Sequence, residues 1–165
     1  MIIRPLISHD KTKILFLLHQ RGIFNNNEIK LAMELLDASL DYREEKDYHV
    51  FCAADDGDRL AGYICFGPIP VTDGCYDLYW IMVDEAYGRT GIGGKLLACM
   101  VKSVIRNKGR RIYVETSSSP PYASARFFYN KHGYTLVSLL SDFYRVGDHK
   151  MIYMKEVLYD ETNGT

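Results

Sequence analysis

DLYWIMVDEAYGRTGIGGK, residues 77–95, is the stretch on which the reading of the whole chain turns. Asp77, Tyr79, Ile81 and Val83 alternate with Leu78, Trp80 and Met82, and aromatic and β-branched types are common among them. That composition suits a central strand with apolar contacts on both faces. A short turn, Asp84-Glu85-Ala86-Tyr87, leads to a glycine-rich loop at 88–94. The loop runs straight into a helix whose Leu96, Leu97, Met100, Val101, Val104 and Ile105 share one face.

Strand, glycine loop and helix start together make an anion site. The first turn of a helix leaves backbone N–H groups unpaired, and the helix dipole adds partial positive charge there. Glycines let a phosphate approach that backbone with no Cβ in the way. Arg89 and Lys95 add mobile positive charge. The stretch therefore predicts a phosphate-bearing ligand.

The loop is neither a Walker A sequence, whose GxxxxGK[ST] spacing is absent, nor the dinucleotide order GxGxxG. Gly88-Arg89-Thr90-Gly91-Ile92-Gly93 resembles the acetyl-coenzyme A signature of the GNAT N-acetyltransferase superfamily, (Gln/Arg)-x-x-Gly-x-(Gly/Ala). Gly88 departs from the pattern where Gln or Arg is usual, and Arg89 stands one residue late. A second stretch, Ala125-Arg126-Phe127-Phe128-Tyr129-Asn130-Lys131-His132-Gly133-Tyr134, resembles the family's later motif, Asn-x-x-Ala-x-x-Leu-Tyr-x-x-x-Gly-Phe. Tyr122 stands there where Asn is frequent. The two motifs cover about residues 77–134, and the order of strands and helices extends the resemblance across nearly the whole chain.

Composition sets the bounds. A chain of 165 residues reads as one domain, at 1–158, with a frayed polar tail at 159–165. Hydrophobic content of 47%, charged content of 25% and a net charge of −1 give no support for a nucleic-acid or membrane partner held by bulk charge. No apolar run approaches the roughly 20 residues that span a bilayer, and the N-terminus does not read as a signal peptide. Cys52, Cys65, Cys75 and Cys99 form no CxxC pair and read as buried reduced thiols. The five histidines show no metal-ligand spacing, so no metal is expected. A cytoplasmic location is the default.

Before the central strand come a strand at 2–6, a helix capped by Asp10 with Ile14, Leu17 and Leu18 on one face, and a helix capped by Asn27 with Ile29, Met33, Leu36 and Leu40 in register. Strands at 48–54 and 59–66 flank the turn Asp55-Asp56-Gly57-Asp58. Its acids lack EF-hand spacing and read as a solvated hairpin tip. After the central strand, the helix from about Gly93 ends with Gly109 at C′. A strand at 110–116 then lies parallel to the central one. A helix at 122–131 and two long strands at 134–144 and 150–157, joined at Val146-Gly147-Asp148, complete the chain. The expected fold is α/β, a twisted, mixed but mostly antiparallel sheet of six or seven strands with helices on both faces, as in acyl-CoA N-acyltransferases.

The resemblance implies an N-acetyltransferase that moves an acetyl group from acetyl-CoA to a primary amine by direct attack. Backbone at Ile81, Met82 and Val83 would bind the pantetheine arm. Arg89, Thr90, Gly91, Ile92, Gly93, Gly94 and Lys95 would cradle the phosphates. Tyr129 takes the place of the family tyrosine that protonates the departing thiolate. For the base, Asp77 and Glu115 compete with ordered water, since a carboxylate within a mostly apolar strand needs a partner or a purpose. Both also suit a cationic acceptor, and Tyr42, Tyr76, Tyr79, Tyr113 and Tyr144 hint at a small cationic or aromatic amine. An edge strand near the C-terminus suits a homodimer, as is frequent in the family. The rival class is a non-catalytic acyl-CoA sensor that kept the cradle and lost turnover. An ATP-binding reading lacks a Walker lysine and magnesium ligands.

Overall fold

The computed structural model describes residues 1–41 and 47–157. The tail expected at 159–165 and Tyr42 lie outside the described residues. Elements follow the order β1 (Ile2–Pro5), α1 (Asp10–Arg21), α2 (Asn26–Leu40), β2 (His49–Ala54), β3 (Leu60–Pro68), β4 (Cys75–Val83), α3 (Ile92–Arg106), β5 (Arg111–Ser117), α4 (Ala123–Lys131), β6 (Thr135–Arg145) and β7 (Asp148–Glu156). The seven strands form one sheet in the order β1-β2-β3-β4-β5-β7-β6. The β4–β5 pair is parallel, and the β1–β2, β2–β3, β5–β7 and β6–β7 pairs are antiparallel. This is the mixed, mostly antiparallel α/β sheet the sequence predicts.

Residues cluster into two compact units. Unit 1 is Met1–Pro68 with Tyr79–Lys102, and unit 2 is Ile69–Leu78 with Ser103 onward. β4 and α3 run through both.

Unit 1 is a β1–β2–β3 meander with α1 and α2 packed on it. Ile14, Leu17 and Leu18 recur at helical spacing on α1 and bury against Val50, Cys52, Leu60, Tyr63 and Cys65 of the strands, with Met82 of β4. The buried face of α2 is turned from the predicted one. Ala32, Leu35 and Ser39 join Ile29 and Leu36, whereas Met33 and Leu40 are only partly covered. The helix is capped by Asn25 rather than Asn27, because Asn25 completes a capping box with Glu28.

Asp10 does not cap α1. It is the first helical residue and fully buried, held by both guanidinium nitrogens of Arg4 at 2.6 and 3.0 Å and by the Ile7 N–H at 3.1 Å. Burial alone would push its carboxyl up. Arg4 and the Ile7 N–H more than offset that and hold it below the usual range. The acids of the β2–β3 turn are engaged too, since Asp58 meets Arg4 at 2.9 Å and Lys13 at 2.6 Å.

In unit 2, β5 lies between β4 and β7, with β6 at the edge. Cys75–Leu78 pair in parallel with Arg111–Val114, and Arg111–Ser117 pair antiparallel with Lys150–Glu156. The joining turn is shorter than predicted, because Asp148 already belongs to β7. Helix α3 ends one residue earlier than its glycine suggests. Lys108, at φ 56°, takes the left-handed C′ position and Gly109 follows it. The N–H groups of Gly109 and Lys108 close onto Val104 and Ile105 in a Schellman motif. Gly109 is needed for space, since a Cβ would fall 2.4 Å from Val104 and 2.7 Å from the Tyr76 ring. That packing buries Tyr76.

Asp10→Asn is expected to lower unfolding stability at pH 7 by about 2–3 kcal/mol, from a buried acceptor of two charge-assisted bonds. A carboxyl depressed on folding stabilises above its unfolded pKa, and that contribution fades as pH falls through the folded value. The gap between variant and wild type in urea midpoint should therefore close in acid.

Candidate active site

In unit 1 the loop after β4 is fixed before it turns. The Asp84 N–H donates to Ala61 O at 2.9 Å, tying the end of β4 to β3. The Asp84 carboxylate accepts the Ala86 N–H at 2.9 Å and starts a short 3-10 turn, Glu85–Tyr87. Tyr87 donates its hydroxyl to Asp55 at 2.7 Å, and its carbonyl accepts the Thr90 hydroxyl at 2.5 Å. Glu85 meets Arg21 of α1 at 2.8 Å.

Arg89 and Gly91 then adopt left-handed backbone, at φ 62° and 81°. Nothing lies within 4 Å of a Cβ built at Gly91, so its glycine serves the turn rather than close packing. The Lys95 N–H makes the first helical bond, to Gly91 O at 3.1 Å. The N–H groups of Ile92, Gly93 and Gly94 therefore precede the first helical donor and have no helical acceptor of their own. Ile92 is buried and anchors the helix start, while Arg89, Thr90 and Lys95 are exposed beside it. Oriented amides with two mobile cations can bind a phosphate. The cofactor candidates Arg89, Thr90, Gly91, Ile92, Gly93, Gly94 and Lys95 are contiguous, and the 3-10 turn separates them from Ile81, Met82 and Val83 of β4.

Unit 2 holds the candidate acid and bases. Asp77 is the register partner of Tyr113, two residues before Glu115, so all three side chains share one sheet face. Asp77 is half-buried, and no hydrogen bond or ion pair holds its carboxylate among the described residues. Burial first, and then the Glu115 charge, push its carboxyl up. Glu115 is exposed, and Lys150 of β7 meets it at 2.7 Å. Lys150 itself lies 3.8 Å over the Phe143 ring. Glu115 is thus ion-paired, and Asp77 holds a proton more tightly than an ordinary carboxylate.

Tyr129 of α4 lies on the opposite face. Its ring packs on Tyr134 at 5.8 Å and on Tyr153 at 6.1 Å, and Tyr153 is the register partner of Val114. Burial raises the Tyr129 phenol well above its ordinary value. Its hydroxyl has no hydrogen-bond partner among the described residues, which leaves it able to donate to an incoming atom.

Sequence reasoning missed the polar frame under α4. The Ser117 hydroxyl donates to the buried Asp148 carboxylate, and Ser119 joins Ser117 at 2.6 Å. Arg126 clamps the carbonyls of Ser117 and Ser119 at 2.7 and 2.9 Å. The serine run read only as a loop, and nothing local announced a partner 31 residues away. Among the described residues no group of three His, Cys, Asp or Glu converges on a metal position, and no helix is long and apolar enough to cross a membrane.

The family model for the acetyltransferase (GNAT) family matches residues 20–134. A crystal structure from Desulfovibrio desulfuricans, described as an acetyltransferase of the GNAT family, is 38% identical with a TM-score of 0.90, over 95% of this chain and 99% of that one. The Escherichia coli ribosomal-protein-S18-alanine N-acetyltransferase shares the fold at 18% identity and a TM-score of 0.75, over 99% and 98% of the two chains. So does an aminoglycoside 6'-N-acetyltransferase complexed with coenzyme A, at 19% identity and a TM-score of 0.73, over 96% and 98%. No curated protein matches the sequence. With the glycine loop at the start of α3, the matched family model and the 38% identical structure show that this chain belongs to the GNAT acetyltransferase family.

Proposed function

We propose that the protein is an acetyl-CoA-dependent N-acetyltransferase acting on a primary amine. The loop carries this reading: Gly91 at φ 81° opens α3 so that three successive amides precede its first helical bond, with Arg89 and Lys95 exposed beside them. Those residues fit a pyrophosphate by charge and by donor count. Acetyl-CoA supplies the activated acyl group as a thioester.

The chain's own residues have limited work to do. Backbone at Ile81, Met82 and Val83 aligns the pantetheine arm as an added strand. Asp77 takes the proton of the acceptor ammonium, so that a neutral amine forms the N–C bond as the C–S bond breaks. Tyr129 gives a proton to the departing sulfur. Glu115, paired with Lys150, tunes Asp77 through its charge and ranks behind it as base. Domain 1–158 works as one enzyme in this reading. Its four cysteines, none of them in a disulfide among the described residues, suit the cytoplasm. The edge strand β6, which exposes Leu136, Leu139 and Phe143, suits a homodimer.

An amine panel with release of free thiol as readout tests the activity. Acetyl-CoA binding without turnover of any amine would favour the sensor reading instead. With an accepted amine, Tyr129→Phe should lower kcat about 10- to 100-fold while the KM for acetyl-CoA changes less than about threefold. An unchanged kcat removes Tyr129 as the acid.

A base must be ionised, so kcat/KM should rise with pH through the Asp77 pKa, which burial places above the ordinary carboxylate value. Asp77→Asn should abolish that acid limb. Because folding disfavours the ionised form, the same variant should be no less stable than wild type at pH 7. A retained limb transfers the role to Glu115 or to water.

A further inference from the structure

One hydrogen bond joins the β2–β3 turn to the phosphate loop across 32 positions of sequence. The Tyr87 hydroxyl donates to one Asp55 oxygen at 2.7 Å. The other Asp55 oxygen accepts the N–H groups of Gly57 and Arg59, at 3.0 and 2.9 Å. Asp55 is thus aimed by its own turn before it meets the tyrosine. The Arg59 guanidinium lies 5.8 Å over the Tyr87 ring. At its other end Tyr87 presents a carbonyl to both the hydroxyl and the N–H of Thr90, at 2.5 and 3.4 Å.

This matters because of what comes next. Arg89 is a non-glycine residue at φ 62°, two positions before Gly91 at φ 81°. A left-handed non-glycine residue is strained and persists only where its surroundings over-determine it. Two fixed points bracket it here, the buried Ile92 on one side and Tyr87 on the other. Without the Asp55 bond, the Tyr87 side of loop 88–91 rests on the backbone bonds of the 3-10 turn, the Asp84–Ala61 bond and the Glu85–Arg21 pair.

We propose that Asp55 and Tyr87 are positioning residues that preset loop 88–91 to receive the donor's pyrophosphate, an inference that rests on the acetyl-CoA reading above. The bond is charge-assisted: Tyr87 holds the Asp55 carboxyl low, and Asp55 pushes the Tyr87 phenol up. Neither side chain touches the ligand. Their effect is confined to ligands that use the loop.

Coenzyme A and pantetheine separate this role from ordinary packing, since pantetheine carries the arm but no pyrophosphate. Coenzyme A affinity is read by calorimetry and pantetheine affinity by NMR titration, for wild type, Tyr87→Phe, Asp55→Asn and the double variant. Asp55→Asn keeps a side-chain acceptor for the Gly57 and Arg59 amides, so it serves where Tyr87→Phe folds poorly. Either single variant should weaken coenzyme A about tenfold and leave pantetheine within about twofold, and the double variant should match the weaker single one. Coenzyme A binding at wild-type strength in both single variants overturns the proposal, as does equal loss for both ligands. A wild type that binds no coenzyme A fails the acetyl-CoA reading itself, which is a different result from a silent variant.

Discussion

Helix α3 starts with amides that its own carbonyls cannot reach, and much of unit 1 is arranged around leaving them so. A buried N–H without a partner costs on the order of 1–3 kcal/mol, so helix starts are usually capped by a side chain. Gly91 has no side chain to fold back. The loop before it is instead pinned from outside, by Ala61 on β3, by Asp55 on the β2–β3 turn and by Arg21 on α1. The amides of Ile92, Gly93 and Gly94 are left without a helical acceptor.

Unit 2 answers a different constraint. Asp77 and Glu115 stand on neighbouring strands with their side chains on one face, an arrangement that two full charges would resist. Lys150 settles the conflict for Glu115 and leaves Asp77 with a raised affinity for protons. Tyr129, across the sheet, is kept protonated by burial, and the Ser117–Asp148–Arg126 frame fixes the turn that leads into its helix. In the proposed reaction, a carboxylate that accepts and a phenol that donates are what thioester aminolysis needs.

The strand-loop-helix unit was legible because it is local. A period of two gives way to glycines and then to a period of 3.6, and each step has its own physics. The sheet followed from hairpin turns and from the crossover rule, which made β4 and β5 parallel. Local pattern failed where pairing is long-range or where two candidates were equally good. Asp10 looks like a cap until Arg4 claims it, and Lys108 holds the left-handed position because Gly109 is needed for space. The Tyr87–Asp55 bond and the Glu115–Lys150 pair left no trace in sequence spacing, since the sheet alone brings them together. That Tyr129 lies on the other face from Asp77 needed the register of β5 and β7.

The central claim is that the amides at the start of α3 hold a coenzyme A phosphate. Calorimetric titration of the wild-type protein with acetyl-CoA, beside ATP as a phosphate-bearing control, tests it most directly. Saturable binding of acetyl-CoA with at most weak heat from ATP is the predicted result. No acetyl-CoA binding, or equal binding of both, would contradict the account.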